Sequence, residues 1–575
     1  MKMIVKMMVA AAALLALTVG LIASGEVSAE HAIGDDPADF SNISWMMVCT
    51  VLVMIMSPGI ALFYGGMLRK QSMTATMTQT MIAMAVMGIM WVLVGFSFAF
   101  ASGNDVIGGF DYILLRNIGF DTIGMTNDTI PDMEFMLFQM TFAMLTGAIV
   151  LGACAERMRF PVVVAFLAVW SILVYAPMAH MVWGGGLMDN LPFGLSTLDF
   201  AGGTVVHICA GASGLALVAF LGRRSEKVSI RSHSVPMTFI GFLLLWMGWM
   251  GFNGGSGLAA DGTAINALST SVIASLFGMA AWAVVQYLQA GRVGALGLIA
   301  GAVAGLVAIT PGAGYVSASD SIIIGAIGGA VCYYGVILMR RSGFDDALDV
   351  MGIHGIGGIW GAIATGIFAY ADLGGLIGSG DWHLLVGQIV AVLITLAFCF
   401  AVSYAIIWVI SKLMKGSRVS ESEEMVGQDL VEHGEPAYVM RGGCDEDGNS
   451  YVPPGEAPGG QGCAVGDPGP RHDHNPCHRP RGADGDNLHQ QGRFVQGGRA
   501  GEGEGGDRGG GRRPGGLRHR CDPGRRLHRQ PGGREDLRPA HREIDKDKEP
   551  RRPTPLSPRS GEGVPLPHSP IRFGS

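Results

Sequence analysis

As far as Met414 the chain alternates long apolar stretches with short polar connectors, and beyond that point the alternation stops. After an apolar run at the N-terminus, eleven stretches follow at roughly 45–68, 78–100, 134–155, 160–180, 202–221, 236–253, 267–290, 294–311, 319–340, 350–370 and 383–413. Each is long enough, or nearly so, for the ~20 residues that carry an α-helix across a bilayer. Water is absent there, so backbone groups must pair within their own segment, which a helix achieves. Most of the stretches are rich in Gly and Ala, which permits close approach of helix backbones in lipid. The pattern predicts an all-α polytopic membrane protein with eleven transmembrane helices.

Charge orients them. With the mature N-terminus outside, the inner connectors contain Arg69, Lys70, Arg157, Arg159, Arg223, Arg224, Lys227, Arg231, Arg292, Arg340 and Arg341, and Lys412, Lys415 and Arg418 follow the last span. The outer segments contain one basic residue, Arg116. Fourteen against one satisfies the positive-inside rule, and one miscounted span would scramble it. The expected location is therefore the plasma membrane, with the N-terminus outside and the C-terminus cytoplasmic. Eleven spans further suggest two inverted five-helix repeats plus one extra helix. An internal echo supports this: Asp199 precedes His207 at the start of the fifth span, and Asp349 precedes His354 at the start of the tenth.

At the N-terminus, Lys2 and Lys6 open an apolar run to about Ala23, and Val27-Ser28-Ala29 offers small residues for cleavage, as in a secretory signal peptide over 1–29. An uncleaved first span is the other reading. The acidic, Lys/Arg-free stretch Glu30–Ser44 favours an exported start. A transmembrane domain would then occupy 30–413.

Composition agrees: 49% hydrophobic and 15% charged exclude an ordinary soluble domain. Cys49, Cys154, Cys209, Cys332 and Cys399 stand singly in apolar runs, without the spacing of a metal knuckle or redox motif. No metal, cofactor or enzymatic chemistry is implied. Beyond Met440 the chain turns to Gly, Arg, Pro, Asp and His, a low-complexity composition that cannot form a core, so 441–575 is expected to be disordered. Its arginines come without interleaved aromatics or a fold motif, which argues against nucleic acid as a partner.

Ionisable groups inside spans are costly and mark function. His207 and His354 lie several residues into their spans from opposite sides and should meet near the midplane. Read alone, either would be a satisfied packing histidine; as a pair at equivalent places they point to a shared site. Intramembrane haem or metal chemistry would need more ligands than these.

Five strings carry a resemblance: Pro58-Gly-Ile-Ala-Leu-Phe-Tyr-Gly-Gly66, Ala179-His-Met-Val-Trp-Gly-Gly-Gly186, Asp199-Phe-Ala-Gly-Gly-Thr-Val-Val-His207, Gly248-Trp-Met-Gly-Phe-Asn-Gly-Gly-Ser256 and Asp345-Asp-Ala-Leu-Asp-Val-Met-Gly-Ile-His354. Over residues 42–440 the chain resembles the ammonium transporter family, relatives of the Rhesus proteins. The resemblance implies that Trp183, Ser256 and Phe142 recruit ammonium, that Phe142 and Phe252 stack to close the outer mouth, and that His207 and His354 line a lumen conducting ammonia. Asp199 resembles a buried carboxylate that fixes the vestibule, and Phe63, Tyr64, Phe138, Gln139, Trp249 and Thr310 match positions around the path. By position alone Trp183 is an interfacial aromatic and each Phe a core or lipid-facing residue. The chain departs from the pattern at Ser102, where an acidic residue is expected in some relatives, and at Met250, where an aromatic is common.

The resemblance also implies a homotrimer with one pore per subunit, and a cytoplasmic regulatory extension over 414–440 that meets a PII-type nitrogen regulatory protein. Asp429-Leu-Val-Glu-His-Gly-Glu-Pro-Ala-Tyr438 matches its closing motif, against the plainer reading of a solvated acidic tail. Read back into codons and shifted by one base, Leu527–His541 resembles a stretch of a PII-type protein, so the tail could be frameshifted. An ammonium sensor with little flux is the alternative to a transporter.

Overall fold

A computed structural model describes residues 37–120, 129–228 and 232–438. The expected signal peptide at 1–29 and the tail at 441–575 lie outside the described residues. Eleven helices are long and apolar enough to cross a membrane: α1 (Phe40–Met67), α2 (Lys70–Phe100), α3 (Asp132–Ala153), α4 (Phe160–Trp183), α5 (Gly203–Leu221), α6 (Val235–Gly255), α7 (Gly262–Ala290), α8 (Ala295–Gly312), α9 (Ala318–Arg341), α10 (Met351–Phe368) and α11 (His383–Leu413). Strands are absent among the described residues. The sequence pattern located all eleven. It started α2 late, at 78, because the first turns of that helix are polar and face a neighbouring segment rather than lipid.

Helices α1 and α6, the first of each five-helix set, run antiparallel in close contact. Gly59 lies against Leu244, Gly66 against Thr238, Gly248 against Met56 and Gly255 against Cys49. A Cβ at Gly241 would collide with the backbone nitrogen of Phe63. Bare backbone at these positions creates the extra dispersion contact on which helix association in lipid depends.

A charged layer closes the face where α1, α3, α5, α7, α9 and α11 end. The buried Glu156 carboxylate accepts from Arg69 at 2.8 Å and Arg224 at 2.9 Å, while Arg224 also pairs with Asp345 at 2.8 Å. Burial alone would push the Glu156 carboxyl up, but the two guanidinium groups outweigh it and hold it below the usual range. Buried charges survive only when paired in this way.

The segment after α11 is stitched onto that layer. Val419 donates its N–H to Arg157 O at 2.9 Å, and Arg159 donates to Ser417 O at 3.0 Å. A short helix, α12 (Glu421–Val426), is started by a Ser420–Glu423 capping box. Its Glu424 carboxylate accepts from the Ser225 N–H and from Arg418, each at 2.8 Å. Farther on, the Asp429 carboxylate accepts from the Ala75 N–H at 2.8 Å. The polar first turns of α2 are thus part of a docking surface.

Gly241→Val tests the α1–α6 contact. The added branch has no space against the Phe63 backbone, so stability should fall by about 1–3 kcal/mol or more. A thermal-unfolding midpoint in mild detergent matching the parent's would refute this account of the packing.

Candidate functional site

Two equivalent devices converge at the centre. In the first, the Asp199 carboxylate accepts the N–H groups of Gly202 (2.8 Å), Gly203 (2.7 Å), Thr204 (2.7 Å) and Val205 (3.2 Å). These are orphan donors of the helix start, so one side chain satisfies the N-terminus of α5. That helix opens with a π-helical turn, Gly203–Ile208, which carries His207. The second device repeats this. The Asp346 carboxylate accepts from Val350 (2.9 Å), Met351 (2.7 Å) and Gly352 (3.4 Å), and α10 opens with the π-helical turn Met351–Gly355, which carries His354.

The internal echo therefore needs correction. The counterpart of Asp199 is Asp346, eight positions before its histidine as Asp199 is before His207. Asp349 instead has a left-handed backbone (φ 57°) and pairs with Arg340 at 3.0 Å. Sequence reading chose the carboxylate nearer the predicted span. The equal eight-residue interval was the available signal.

Glycine brings the two devices together. A Cβ at Gly211 of α5 would strike Gly355 of α10, and one at Gly358 would lie 3.2 Å from the His207 Cβ. With the helices crossing this closely, His207 Nδ1 and His354 Nδ1 are 3.2 Å apart. One nitrogen must donate and the other accept, so the outward Nε2 atoms have opposite character, one acceptor and one N–H donor. The Nε2 of His207 is buried and has no protein partner. His354 is half-buried.

From the imidazoles a column of rings leads toward the face opposite the charged layer. His207 stacks on Trp249 (centroids 5.3 Å) and on Phe252 (6.1 Å). Phe252 stacks on Phe142 at 4.1 Å with 15° between planes, and Phe142 meets Trp183 edge-on at 6.2 Å. The Trp183 indole donates to Asp199 O at 2.8 Å, so the residue that caps α5 also fixes the outermost ring. Ser256 donates its hydroxyl to Phe252 O at 2.8 Å, which leaves its lone pairs available as acceptors.

Other candidates fall around this column. Phe138 packs against Phe142 at 4.8 Å, and Gln139 is buried with its amide oxygen unpartnered. Thr310 accepts from the Trp249 indole at 3.0 Å and donates to Leu306 O at 2.8 Å, with Asn253 Oδ1 3.4 Å away, while Asn253 donates to Ser271 at 2.7 Å. Asn253 was not singled out from the sequence, although it lies inside the Gly248–Ser256 string. Tyr64 stands apart, its hydroxyl 3.4 Å from Ile149 O, with Phe63 beside it at 5.9 Å.

A profile of the Ammonium Transporter Family matches residues 44–438. The chain is 48% identical over 400 residues to an ammonium transporter of Bacillus subtilis, covering 68% of this chain and 97% of that protein. It is 41% identical over 405 residues to ammonium transporter Amt1 of Archaeoglobus fulgidus, covering 69% and 99%. Among solved structures, Saccharomyces cerevisiae Mep2 superposes with a TM-score of 0.62 at 33% identity, covering 66% of this chain and 88% of that one. A sensor Amt protein does so with a TM-score of 0.63 at 26% identity, covering 69% and 99%.

Asp346 gives this arrangement a pH signature. Burial, and then the neighbouring Asp349, push its carboxyl up to about 7 against the lowering effect of the three amide bonds. The folded protein therefore holds a proton that the unfolded chain releases near its ordinary value of 3.8. This stabilisation is complete below that value and is lost as pH rises to about 7, on the order of a few kcal/mol. Asp346→Asn should flatten the decline in thermal stability across that window. An unchanged slope would show that Asp346 is not the titrating group.

Proposed function

The chain belongs to the ammonium transporter family and functions as a membrane transporter of ammonium; on that premise we propose that it strips ammonium of its proton and conducts ammonia along His207 and His354. One observation carries this reading: the unbroken column of rings from Trp183 to the touching imidazoles. A bare cation in a narrow apolar channel carries a prohibitive desolvation cost, whereas neutral ammonia crosses far more cheaply.

Capture occurs at Trp183, whose ring face attracts a cation while the Ser256 oxygen accepts one of its N–H bonds. The stacked pair Phe142 and Phe252 excludes hydrated ions, and deprotonation follows beneath it. The imidazole pair then offers one donor and one acceptor to ammonia, which itself has three N–H groups and a lone pair, and could relay the proton separately. Asp199 acts as a positioning group, since its carboxylate is occupied by four amides. Potassium is rejected because it has no proton to surrender.

The same reading puts the N-terminus outside and the C-terminus in the cytoplasm of a plasma-membrane homotrimer with one pore per subunit. The basic residues gathered on the charged face support that orientation. The extension after α11 is the docking place for a PII-type regulator, because it bonds directly to the ends of α2, α3 and α5. The proposed division of the chain remains a signal peptide to residue 29, a transmembrane domain to 413, this extension to 440, and a tail beyond. A sensing role is the second reading, favoured by the likeness to a sensor Amt protein. Methylammonium uptake in proteoliposomes separates it from transport.

Two substitutions test the mechanism. Trp183→Leu should weaken recruitment by about 0.5–2 kcal/mol, read as a higher half-saturation for methylammonium, while leaving the pore open. His207→Asp should put a fixed negative charge beside the lumen and admit potassium. If the folded His207→Asp protein gains no potassium uptake in cells lacking their own carriers, the path does not run past this histidine.

A further inference from the structure

Glu134 is a carboxylate that the mechanism above leaves unused. It lies in the first turn of α3, half-buried, and accepts a hydrogen bond from the Thr50 hydroxyl of α1 at 2.8 Å through Oε1. No Lys or Arg among the described residues pairs with it. An acid near the end of a membrane helix without a basic partner is expensive, and that expense calls for a role.

Its surroundings suggest the role. Residues 134, 138 and 142 are separated by four, so Glu134 tops the α3 face that carries Phe138 and the gate ring Phe142. The turn before α3 is fastened to the loop after α6: Thr129 donates to Leu258 O at 2.8 Å, two residues past Ser256. On the α1 side, Trp45 donates to Gly254 O at 3.3 Å. A Cβ at Gly255 would touch Cys49 at 2.7 Å and the Phe138 ring at 2.8 Å. Ser256, Phe138 and Glu134 therefore share one corner between α1, α3 and α6, at the mouth opposite the charged layer.

We infer that Glu134 is a further cation-binding group of this mouth, held by Thr50, which draws small monovalent ammonium cations toward Ser256 and Trp183. The inference rests on the proposed recruitment site. A carboxylate oxygen suits the N–H groups of an ammonium or methylammonium ion, which would pass from it to the Ser256 oxygen and the Trp183 face. A carboxylate at a narrow mouth also raises the local concentration of cations, an effect that salt screens.

The experiment is concentration-dependent methylammonium uptake by the full-length protein in cells lacking their own carriers, at low and high ionic strength. Glu134→Gln, Glu134→Asp and Trp183→Leu are compared at matched membrane abundance. Glu134→Gln should raise the half-saturation about threefold to tenfold, with a maximal rate within about twofold of the parent and a weaker salt dependence. Glu134→Asp should recover most of the loss. Should Glu134→Gln fail to reach the membrane, Thr50→Val carries the test, since it keeps the charge and removes its tether; its half-saturation should rise about twofold or more. An unchanged half-saturation in Glu134→Gln, or in Thr50→Val where that variant serves, overturns the proposal. If Trp183→Leu still shifts in that case, the recruitment site stands without Glu134; if neither shifts, the recruitment reading fails as well.

Discussion

The close crossing of α5 and α10 is the constraint on which the rest of this structure depends. Each helix begins at a buried carboxylate that gathers its first amides, and each presents backbone glycine where the other passes. Without the carboxylates, orphan N–H groups would face a medium with no water to satisfy them. Without the glycines, the helices would stand a side chain apart and the imidazoles could not touch. The central contact thus follows from backbone satisfaction and backbone proximity together, and the histidines report the result.

Around that crossing the protein keeps its polar groups in separate places. The ring column is apolar except for the tied indole of Trp183 and the cluster of Trp249, Thr310, Asn253 and Ser271, whose hydroxyl protons go to backbone carbonyls. The paired arginines are gathered at one face, where Glu156, Arg69, Arg224 and Asp345 neutralise one another and the extension after α11 seals over them, while Asp199 and Glu134 stand toward the other. This separation leaves the mid-membrane region with few hydrogen-bonding groups not already committed. Prominent among them are the Nε2 of His207 and the amide oxygen of Gln139.

Much of the fold was legible because a bilayer imposes a length and a polarity that the sequence must display. The two histidines were legible for the same reason, as costly groups in apolar runs. The ring column depended on motif resemblance, since Phe142 and Phe252 look like any core phenylalanine by hydropathy alone. Three features were hidden. Asp346 was overlooked because Asp349 lies closer to the apolar run, although the eight-residue interval favours Asp346 and the cap geometry bears it out. The early turns of α2 were trimmed because their polar side chains dock a distant segment, Asp429 among it, that hydropathy cannot connect to them. The π-helical turns left no periodic signal, since a single turn is too short to shift an apolar pattern.

Those turns make chain length itself a specification. A π-helical turn accommodates one more residue than an α-helical turn over the same rise. Deleting one residue within it would relax the turn to ordinary helix and leave the helix beyond in register. A deletion between Ile208 and Gly211, where the helix is regular, would instead turn Gly211 against His207 by about 100°. Gly211 would swing off the crossing while the carboxylate stayed in place. The same arithmetic binds His354 to Gly358. The π-helical turn can therefore give up a residue, whereas the regular interval from each histidine to its crossing glycine is a ruler whose length must be inherited intact.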